Sequence, residues 1–339
     1  MLRLRILHVS HRGLPDHRIE RAAYIAGSRG HDIQFLGLSH QLDPELDVFT
    51  ETRGLRPINN RQAVLDKSIR RDWEAAVKQM KPDLIHANDI IVAKFSSNLG
   101  IPMVYDDHEY WSAQRIIFDN WPFWKRLAIR PLIKAIPLWE EELLAKHVTL
   151  TVSKNIAEEH RKRCKHVFLL RNLNLSVEIE GIKDTLDRDG IVYVGADFTR
   201  KRFAPHRNMT GLRSYLDFDA LSGLTRSELY DRLVHYRFGL LPFLSTPYSK
   251  YINSAKTFDY LSCGLQVLMT RDLYEGHGCL PYTIPFDNYS ELRSIIKECE
   301  TADSSEIMSY ARKNLVWECQ ADDLMKAYDI AMKEDTNVE

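Results

Sequence analysis

The chain has 339 residues, of which 44% are hydrophobic and 27% are charged, and its formal net charge at pH 7 is -1. These values are typical of a globular protein that is long enough for two domains, each with its own core. The balanced charge gives no basic field for nucleic acid, and no stretch of about 18 uncharged apolar residues predicts a transmembrane helix.

The five cysteines are scattered and include no Cys-x-x-Cys pair. This argues against a disulfide framework and against a structural zinc site. The N-terminus has a short apolar run without a small-residue cleavage site, so we expect no signal peptide. A reducing, cytoplasmic location fits these features best.

Short apolar runs alternate with helical patterns along the chain. The predicted strands are 5–10, 32–38, 83–88, 101–107, 148–153, 166–172, 191–195, 238–243, 265–269 and 282–286. The clearest predicted helices are 18–30, 68–80, 155–163, 226–236 and 317–333. This alternation predicts an α/β fold with parallel sheets covered by helices on both faces.

The stretch 172–190 breaks the alternation and is our candidate interdomain link. We therefore predict a Rossmann-like domain over 1–172, a linker over 173–189, a second Rossmann-like domain over 190–316, a closing helix over 317–333 and a disordered tail over 334–339. Ligands of such sheets bind beyond the carboxyl ends of the strands, where helix N-termini present backbone N–H groups to anions.

The loop after the first predicted strand contains Gly13, Asp16, Arg18 and Glu20. Glycine can bring the backbone close to a ligand, which would suit a binding loop. A turn glycine followed by ordinary helix-end charges explains the same residues.

The segment 104–111 ends a predicted strand in four ionisable residues, Asp106, Asp107, His108 and Glu109. Their position at the carboxyl edge of a sheet makes them candidates for catalysis. For His108 the alternative is a hydrogen-bonded structural histidine.

A third cluster follows the strand that ends at Gly195, where Arg200, Lys201 and Arg202 form a basic triplet. Guanidinium and ammonium groups pair well with the oxygens of a diphosphate. A solvated cluster of loop charges is the alternative.

The segment 251–268 predicts a short helix that starts near Ser254 and leads into a buried strand. Lys256 and the helix N-terminus could bind a phosphate, and Asp259 could accept hydrogen bonds from two ribose hydroxyls. An ordinary surface ion pair between Lys256 and Asp259 is the alternative.

Taken together, the motifs resemble the family 4 retaining glycosyltransferases of the GT-B fold over nearly the whole chain. The segments that carry the resemblance are LPDHRIERAAYIAGSRGHDI, PDLIHANDIIVAKFSSNLGIPMVYDDHEYWS, LLAKHVTLTVSKNIAEEH, GLLPFLSTPYSKYINSAKTFDYLSCGLQVL and VWECQADDLMKAY. The resemblance implies two Rossmann-like domains facing a cleft, with the closing helix returning to the first domain.

The resemblance also implies roles for the candidate residues. His108 would line the sugar pocket beside Asp107 and Glu109, which we take as the candidate catalytic group. The donor-binding residues would be Gly195, Arg200, Lys201, Arg202, Tyr251, Lys256 and Asp259, and the acceptor-binding residues would be Gly13, Asp16 and Arg18.

The implied function is transfer of a sugar from a UDP- or GDP-sugar to a glycan or a lipid-linked acceptor. Retention of the anomeric configuration is expected, with no metal, no cofactor and no nucleic acid partner.

Three features depart from the family pattern. Tyr251 and Asp259 stand where the two glutamates of a Glu-x7-Glu motif are usual, Gln266 stands where a proline is usual, and the stretch from Gly195 to Leu240 is short. These departures leave a non-catalytic nucleotide-sugar-binding protein as an alternative. A sugar-nucleotide epimerase that uses carboxylates of the 106–109 cluster is another.

Two weaker signals remain. The Asp-Phe-Asp triplet 217–219 spells a metal motif of a different glycosyltransferase fold, and we interpret it as a solvated loop. The segment 123–139 has four basic residues, no acidic residue and three bulky aromatic residues. It predicts either a helix on anionic lipid at the cytoplasmic membrane face or a core helix interrupted by Pro131 and Pro137.

Overall fold

The structure is a computed structural model that describes residues 3–114, 122–195, 209 and 211–335. The chain divides into two compact units, Met1–Arg171 with Gln320–Glu339, and Asn172–Cys319.

The strands in chain order are β1 Arg5–Ser10, β2 Asp32–Gly37, β3 Glu51–Gly54, β4 Leu84–Ala87, β5 Met103–Asp107, β6 Val148–Thr151, β7 Val167–Leu169, β8 Ile191–Val194, β9 Asp219–Leu221, β10 Phe238–Leu241, β11 Gln266–Thr270 and β12 Thr283–Phe286. The α-helices are α1 His17–Ser28, α2 Asn60–Leu65, α3 Lys67–Met80, α4 Ile90–Ser96, α5 Phe123–Lys146, α6 Lys154–His160, α7 Ser176–Ile179, α8 Leu212–Tyr215, α9 Arg226–Leu233, α10 Ala255–Ser262, α11 Arg271–Gly276, α12 Leu292–Glu298, α13 Ser304–Asn314 and α14 Ala321–Asp335.

The first unit is built on a seven-stranded parallel sheet in the order β3-β2-β1-β4-β5-β6-β7. Its central strands are apolar on both sides because helices cover both faces, and in β1 the side chains of Ile6, Leu7 and Val9 are fully buried. The chain order reverses between β1 and β4, and at such a reversal the carboxyl ends of the strands leave a crevice.

The last helix, α14, also belongs to the first unit. Its Tyr328 is buried, and the hydroxyl donates to Nδ1 of His86 on β4 over 2.8 Å. Nε2 of the same ring faces Oδ2 of Asp106 at 3.4 Å, which fixes the ring so that Nδ1 is the acceptor.

The second unit contains a five-stranded parallel sheet in the order β12-β11-β10-β8-β9, with its reversal between β10 and β8. Its core gathers Tyr193, Phe238, Leu240, Leu268 and Phe286, each at most 1% exposed.

The candidate linker 173–189 contributes to the second unit. Leu175 and Ile179 are buried, and the carbonyl of Asn174 accepts a 2.8 Å hydrogen bond from the N–H of Trp317. This segment is therefore packed structure within Asn172–Cys319.

Two local predictions need correction. Helix α5 continues through Pro131 and Pro137 without a break, because Leu132, Ile136 and Trp139 pack on the core and offset the lost hydrogen bonds. The triplet 217–219 is not wholly a loop, since its last residue opens the edge strand β9.

Within the described residues, no cluster of three or more His, Cys, Asp or Glu side chains could hold a metal ion. Among the same residues, no helix is long and apolar enough to cross a membrane.

Candidate functional site

At the carboxyl edge of the first sheet, the end of β5 is held by a buried ion pair. Arg18 on α1 binds Asp106 through two parallel hydrogen bonds of 2.7 Å, and its third nitrogen donates to the carbonyl of Leu170 at 3.0 Å. Burial alone would raise the pKa of Asp106, but the Arg18 guanidinium outweighs it and holds that pKa far below its usual range. Arg18 therefore holds α1 against β5, and its role in acceptor binding stays a prediction.

Asp107 forms a second buried pair. Its Oδ2 accepts from Nε2 of His160 at 2.7 Å with both side chains fully buried, and its Oδ1 accepts from the N–H of Tyr110 at 3.0 Å. Next to it, the buried Glu140 accepts from the N–H of Ser112 at 3.0 Å and from the Ser112 hydroxyl. Both Asp107 oxygens accept hydrogen bonds inside the protein, which gives the residue a structural role at this edge. Its catalytic role stays a prediction.

Gly13 and Asp16 shape the loop between β1 and α1. A Cβ atom on Gly13 would lie 2.1 Å from the carbonyl oxygen of Gln41, so only glycine fits there. Asp16 caps α1 by accepting from the N–H groups of Arg18 and Ile19 at 3.1 and 3.3 Å. These contacts show that both residues shape the loop, and their role in binding the sugar acceptor stays a prediction.

His108 and Glu109 are more accessible than the two aspartates before them. The His108 side chain is 22% exposed, and its Nδ1 lies 4.0 Å from Oδ1 of Asp106. Glu109 accepts from the side chain of Gln114 at 2.7 Å. At this edge His108 and Glu109 are therefore better placed than Asp106 and Asp107 to meet a ligand.

His11, directly after β1, was missed by the sequence reasoning. Its Nδ1 lies 2.6 Å from Oδ2 of Asp89, and the other Asp89 oxygen caps α4 by accepting from Ile91 and Val92. Burial lowers the pKa of His11, but the Asp89 carboxylate outweighs it and the net shift is upward. Both residues follow strands that flank the sheet reversal, and that position was the available signal.

In the second unit, α10 is fixed on the sheet by one aromatic ring. The Tyr260 ring lies over Gly239 of β10, where a Cβ atom would come within 2.3 Å of it. The Tyr260 hydroxyl accepts from the N–H of Val194 at 2.8 Å and donates to the carbonyl of Leu240 at 3.4 Å. Because α10 follows β10, its N-terminus lies at the carboxyl edge of this sheet.

That N-terminus is capped by a buried histidine instead of by Ser254 at the cap position. Nδ1 of His277 donates to the carbonyl of Leu273 over 2.8 Å, and Nε2 is an acceptor because a backbone N–H faces it. It receives the N–H of Ser254 at 3.1 Å and the hydroxyl of Thr257 at 3.0 Å.

One turn into α10, Asp259 has partners on α9. Its Oδ1 accepts from the Tyr230 hydroxyl at 3.1 Å and from Arg226 at 3.5 Å, while the same guanidinium lies 3.4 Å from Glu178. The Asp259 side chain stays 13% exposed. Lys256, in the first turn, is half-buried on the same helix.

The remaining donor-site candidates differ in their setting. Gly195, at the end of β8, has φ +140°, and a Cβ there would lie 2.7 Å from the Tyr193 hydroxyl, so glycine is required. Tyr251 closes a 3-10 turn, and the Lys250 ammonium lies 5.0 Å from its ring centre. Arg200, Lys201 and Arg202 lie outside the described residues.

No family model and no curated protein matches the chain, so the comparison rests on solved structures. Sucrose-phosphate synthase from Thermosynechococcus elongatus aligns with a TM-score of 0.66 at 11% identity, over 98% of this chain and 100% of that one. A glycosyltransferase from Rickettsia africae gives a TM-score of 0.65 at 11% identity, over 98% and 99%.

A third similar structure is Anabaena HepE in complex with UDP and glucose, with a TM-score of 0.61 at 13% identity, over 96% of this chain and 100% of that one. All three are similar along nearly their full length. The fold is that of the GT-B glycosyltransferases. The predicted α/β fold class is thereby confirmed, and at these identities the likeness shows the fold alone.

Proposed function

We propose that this protein transfers a sugar from a nucleotide diphosphate donor, a UDP- or GDP-sugar, to a glycan or a lipid-linked acceptor. The observation that carries the proposal is the N-terminus of α10, which Tyr260 and His277 hold at the carboxyl edge of the second sheet. A helix N-terminus at such an edge favours an anion. The similar structure of HepE contains UDP and glucose, which agrees with this choice of ligand.

In this proposal the diphosphate lies against the first turn of α10 and Lys256, and Gly195 lets the backbone approach it. Arg200, Lys201 or Arg202 would add positive charge from outside the described residues. Hydrogen-bond donors and cations fixed in this way stabilise the negative charge that develops on the leaving diphosphate, and the reaction then needs no metal.

Asp259 is proposed to bind the ribose. Tyr230 and Arg226 occupy Oδ1 and so fix the carboxylate in one orientation. Ribose hydroxyls would then meet a carboxylate whose position is set before the donor arrives, which lowers the entropic cost of binding.

The sugar-nucleotide epimerase loses support from the first sheet edge. That reaction needs carboxylates that face the sugar and exchange protons, whereas Asp106 and Asp107 are buried in pairs with Arg18 and His160. Transfer to an acceptor does not require either of them to titrate.

Retention is proposed from the family resemblance, and the pair of His11 and Asp89 favours a second possibility. A histidine whose Nδ1 is held by a buried carboxylate is the usual arrangement of a general base. If Nε2 of His11 removed the proton from an acceptor hydroxyl, a single in-line displacement would invert the anomeric centre. Proton NMR of the first product formed distinguishes the two, and loss of activity in His11→Ala with an inverted product would favour the second.

The donor site is tested by calorimetry with UDP and GDP, followed by mass spectrometry of products formed from mixed sugar nucleotides and a membrane lipid extract. We expect one nucleotide to bind and Asp259→Ala and Lys256→Met each to weaken it at least about tenfold. Asp323→Ala and Lys297→Met, exposed positions elsewhere, are the matched controls. Binding of neither nucleotide to the wild-type protein would overturn the proposal, and binding without any product would favour the non-catalytic alternative.

A further inference from the structure

Helix α5 exposes a row of apolar side chains. Phe123 and Leu138 are each 72% exposed, Trp124 is 65% exposed and Leu127 is 54% exposed. Side chains this large are rarely left in water as a contiguous group without a binding role.

These residues and two cations form one face of the helix. At 100° per residue, Phe123, Trp124, Leu127, Arg130, Lys134 and Leu138 fall within about 120° of arc. We call this set the outer face of α5. It runs over about 22 Å of helix axis at about 1.5 Å per residue.

The stability of α5 does not depend on its outer face. The opposite side buries Leu132, Ile136, Leu143 and Leu144 in the core of the first unit. The outer apolar side chains are therefore additional to those that fold the helix.

A groove continues the outer face toward α2. It has a volume of about 620 Å³, and Leu65, itself 56% exposed, forms its far wall. Its lining is apolar at Trp124, Leu127 and Pro131 and cationic at Arg130 and Lys134. An apolar lining with cationic side chains fits a ligand that has an acyl part and an anionic head.

The charge of this region is strongly one-sided. Residues 123–139 contain Lys125, Arg126, Arg130 and Lys134 and no carboxylate, whereas the whole chain has a net charge of -1. Within the described part of the chain, Arg130 and Lys134 form no ion pair. The Lys125 ammonium lies 5.2 Å from the centre of the Trp124 ring.

We propose that the outer face of α5 docks on the surface of an anionic lipid bilayer. Tryptophan and phenylalanine insert at the level of the headgroups, and the basic side chains pair with lipid phosphates. The charge complementarity selects an anionic surface over a neutral one. The inference goes beyond sugar transfer and does not depend on it, because adsorption to lipid needs no donor.

The test is co-sedimentation of the full chain with vesicles of phosphatidylcholine alone or mixed equally with phosphatidylglycerol. We expect binding to the mixed vesicles, weakened by added salt, and little binding to phosphatidylcholine. Trp124→Ser/Leu127→Ser and Arg130→Glu/Lys134→Glu should each reduce the partition constant at least about tenfold.

Matched controls remove comparable groups elsewhere. Leu186→Ser deletes a fully exposed leucine, and Lys297→Glu/Lys313→Glu makes the same change of charge on exposed positions of the second unit. Both should bind like the wild-type protein, and circular dichroism checks that every variant is folded. UDP calorimetry on the same variants keeps this result separate from the donor-site proposal.

Two outcomes would overturn the inference. One is that the folded wild-type protein fails to bind the anionic vesicles, or binds neutral vesicles equally well. The other is that the protein is a dimer in solution that Trp124→Ser/Leu127→Ser converts to a monomer, since the outer face would then be an interface between two copies.

Discussion

The polar side chains at the carboxyl edges of the two sheets differ in their burial and in their partners. At the first edge, the two aspartates that end β5 are buried in ion pairs with residues of other helices. Asp106 pairs with Arg18, and Asp107 pairs with His160. At the second edge, His277 bonds a backbone N–H and a hydroxyl, and Asp259 stays 13% exposed although Arg226 lies 3.5 Å from it.

The difference shows that a cluster of charges at a sheet edge does not by itself mark a reactive site. Buried pairs cost desolvation and hold loops in place, whereas a ligand needs a polar group that is fixed and still reachable. In the first unit that description fits His11, which is 23% exposed and held by Asp89 at 2.6 Å.

The strongest test of the structural role of the first edge is Arg18→Met. It leaves the Asp106 carboxylate buried without its main partner, so we expect the free energy of unfolding to fall by about 3–5 kcal/mol. Urea unfolding followed by circular dichroism measures it. The control is Arg29→Met, whose pair with Asp322 is 48% and 90% exposed and should contribute at most about 1 kcal/mol. Equal effects of the two variants would contradict the structural role of the buried Arg18–Asp106 pair.

Glu140 gives a pH test of the same edge. Burial, and then the Asp107 charge, raise its pKa to about 7 from an ordinary value of 4.5. The folded protein thus keeps a proton that the unfolded chain releases, and stability falls as the pH rises from 4.5 through about 7. Glu140→Gln stays neutral and should gain on the order of 1–3 kcal/mol over the wild-type protein across this window.

Urea unfolding at several pH values between about 5 and 8 measures this gain. A pKa difference of one unit between the folded and unfolded states corresponds to ~1.4 kcal/mol of stability. Glu158→Gln, on the exposed side of α6, is the control and should follow the wild-type profile. Parallel profiles for Glu140→Gln and the wild-type protein would show that Glu140 is charged in the folded state.

The sequence reasoning recovered the fold better than the sites, for a physical reason. The alternation of short apolar runs with helical patterns is local, and it led correctly to two parallel sheets. The partner of Asp106 is 88 residues away and that of Asp107 is 53 residues away, and no local pattern reports such pairings. His11 and Asp89 were missed because they are 78 residues apart.

The donor-site roles of Lys256 and Asp259 came from their spacing on one short helix and stay predictions. Their setting could not be read from the sequence, because Arg226 and Tyr230 reach Asp259 from another helix. The continuity of α5 was missed for a related reason, since packing on the core outweighs the two prolines.

At the second edge, Gly239→Ala tests whether the seating of α10 matters. The new Cβ would lie 2.3 Å from the Tyr260 ring, so we expect a loss of about 1–3 kcal/mol in stability and weaker UDP binding as α10 shifts. The control Gly27→Ala lies in α1, where a Cβ would meet Ile33 at an ordinary 3.7 Å, and should be neutral or stabilising by up to about 1 kcal/mol. A neutral Gly239→Ala would show that the helix accommodates the change.

The smallest expected effect separates binding from folding at the same edge. His277→Leu removes the acceptor for Ser254 and Thr257, so the first turn of α10 should loosen and UDP affinity should fall about tenfold, or ~1.4 kcal/mol. His31→Leu is the matched control, because His31 is also buried and accepts a backbone N–H, that of Leu4, but in the first unit. Calorimetry below the unfolding transition should show weaker UDP binding only for His277→Leu. Unchanged affinity there would mean that the His277 cap stabilises the second unit without orienting the proposed donor site.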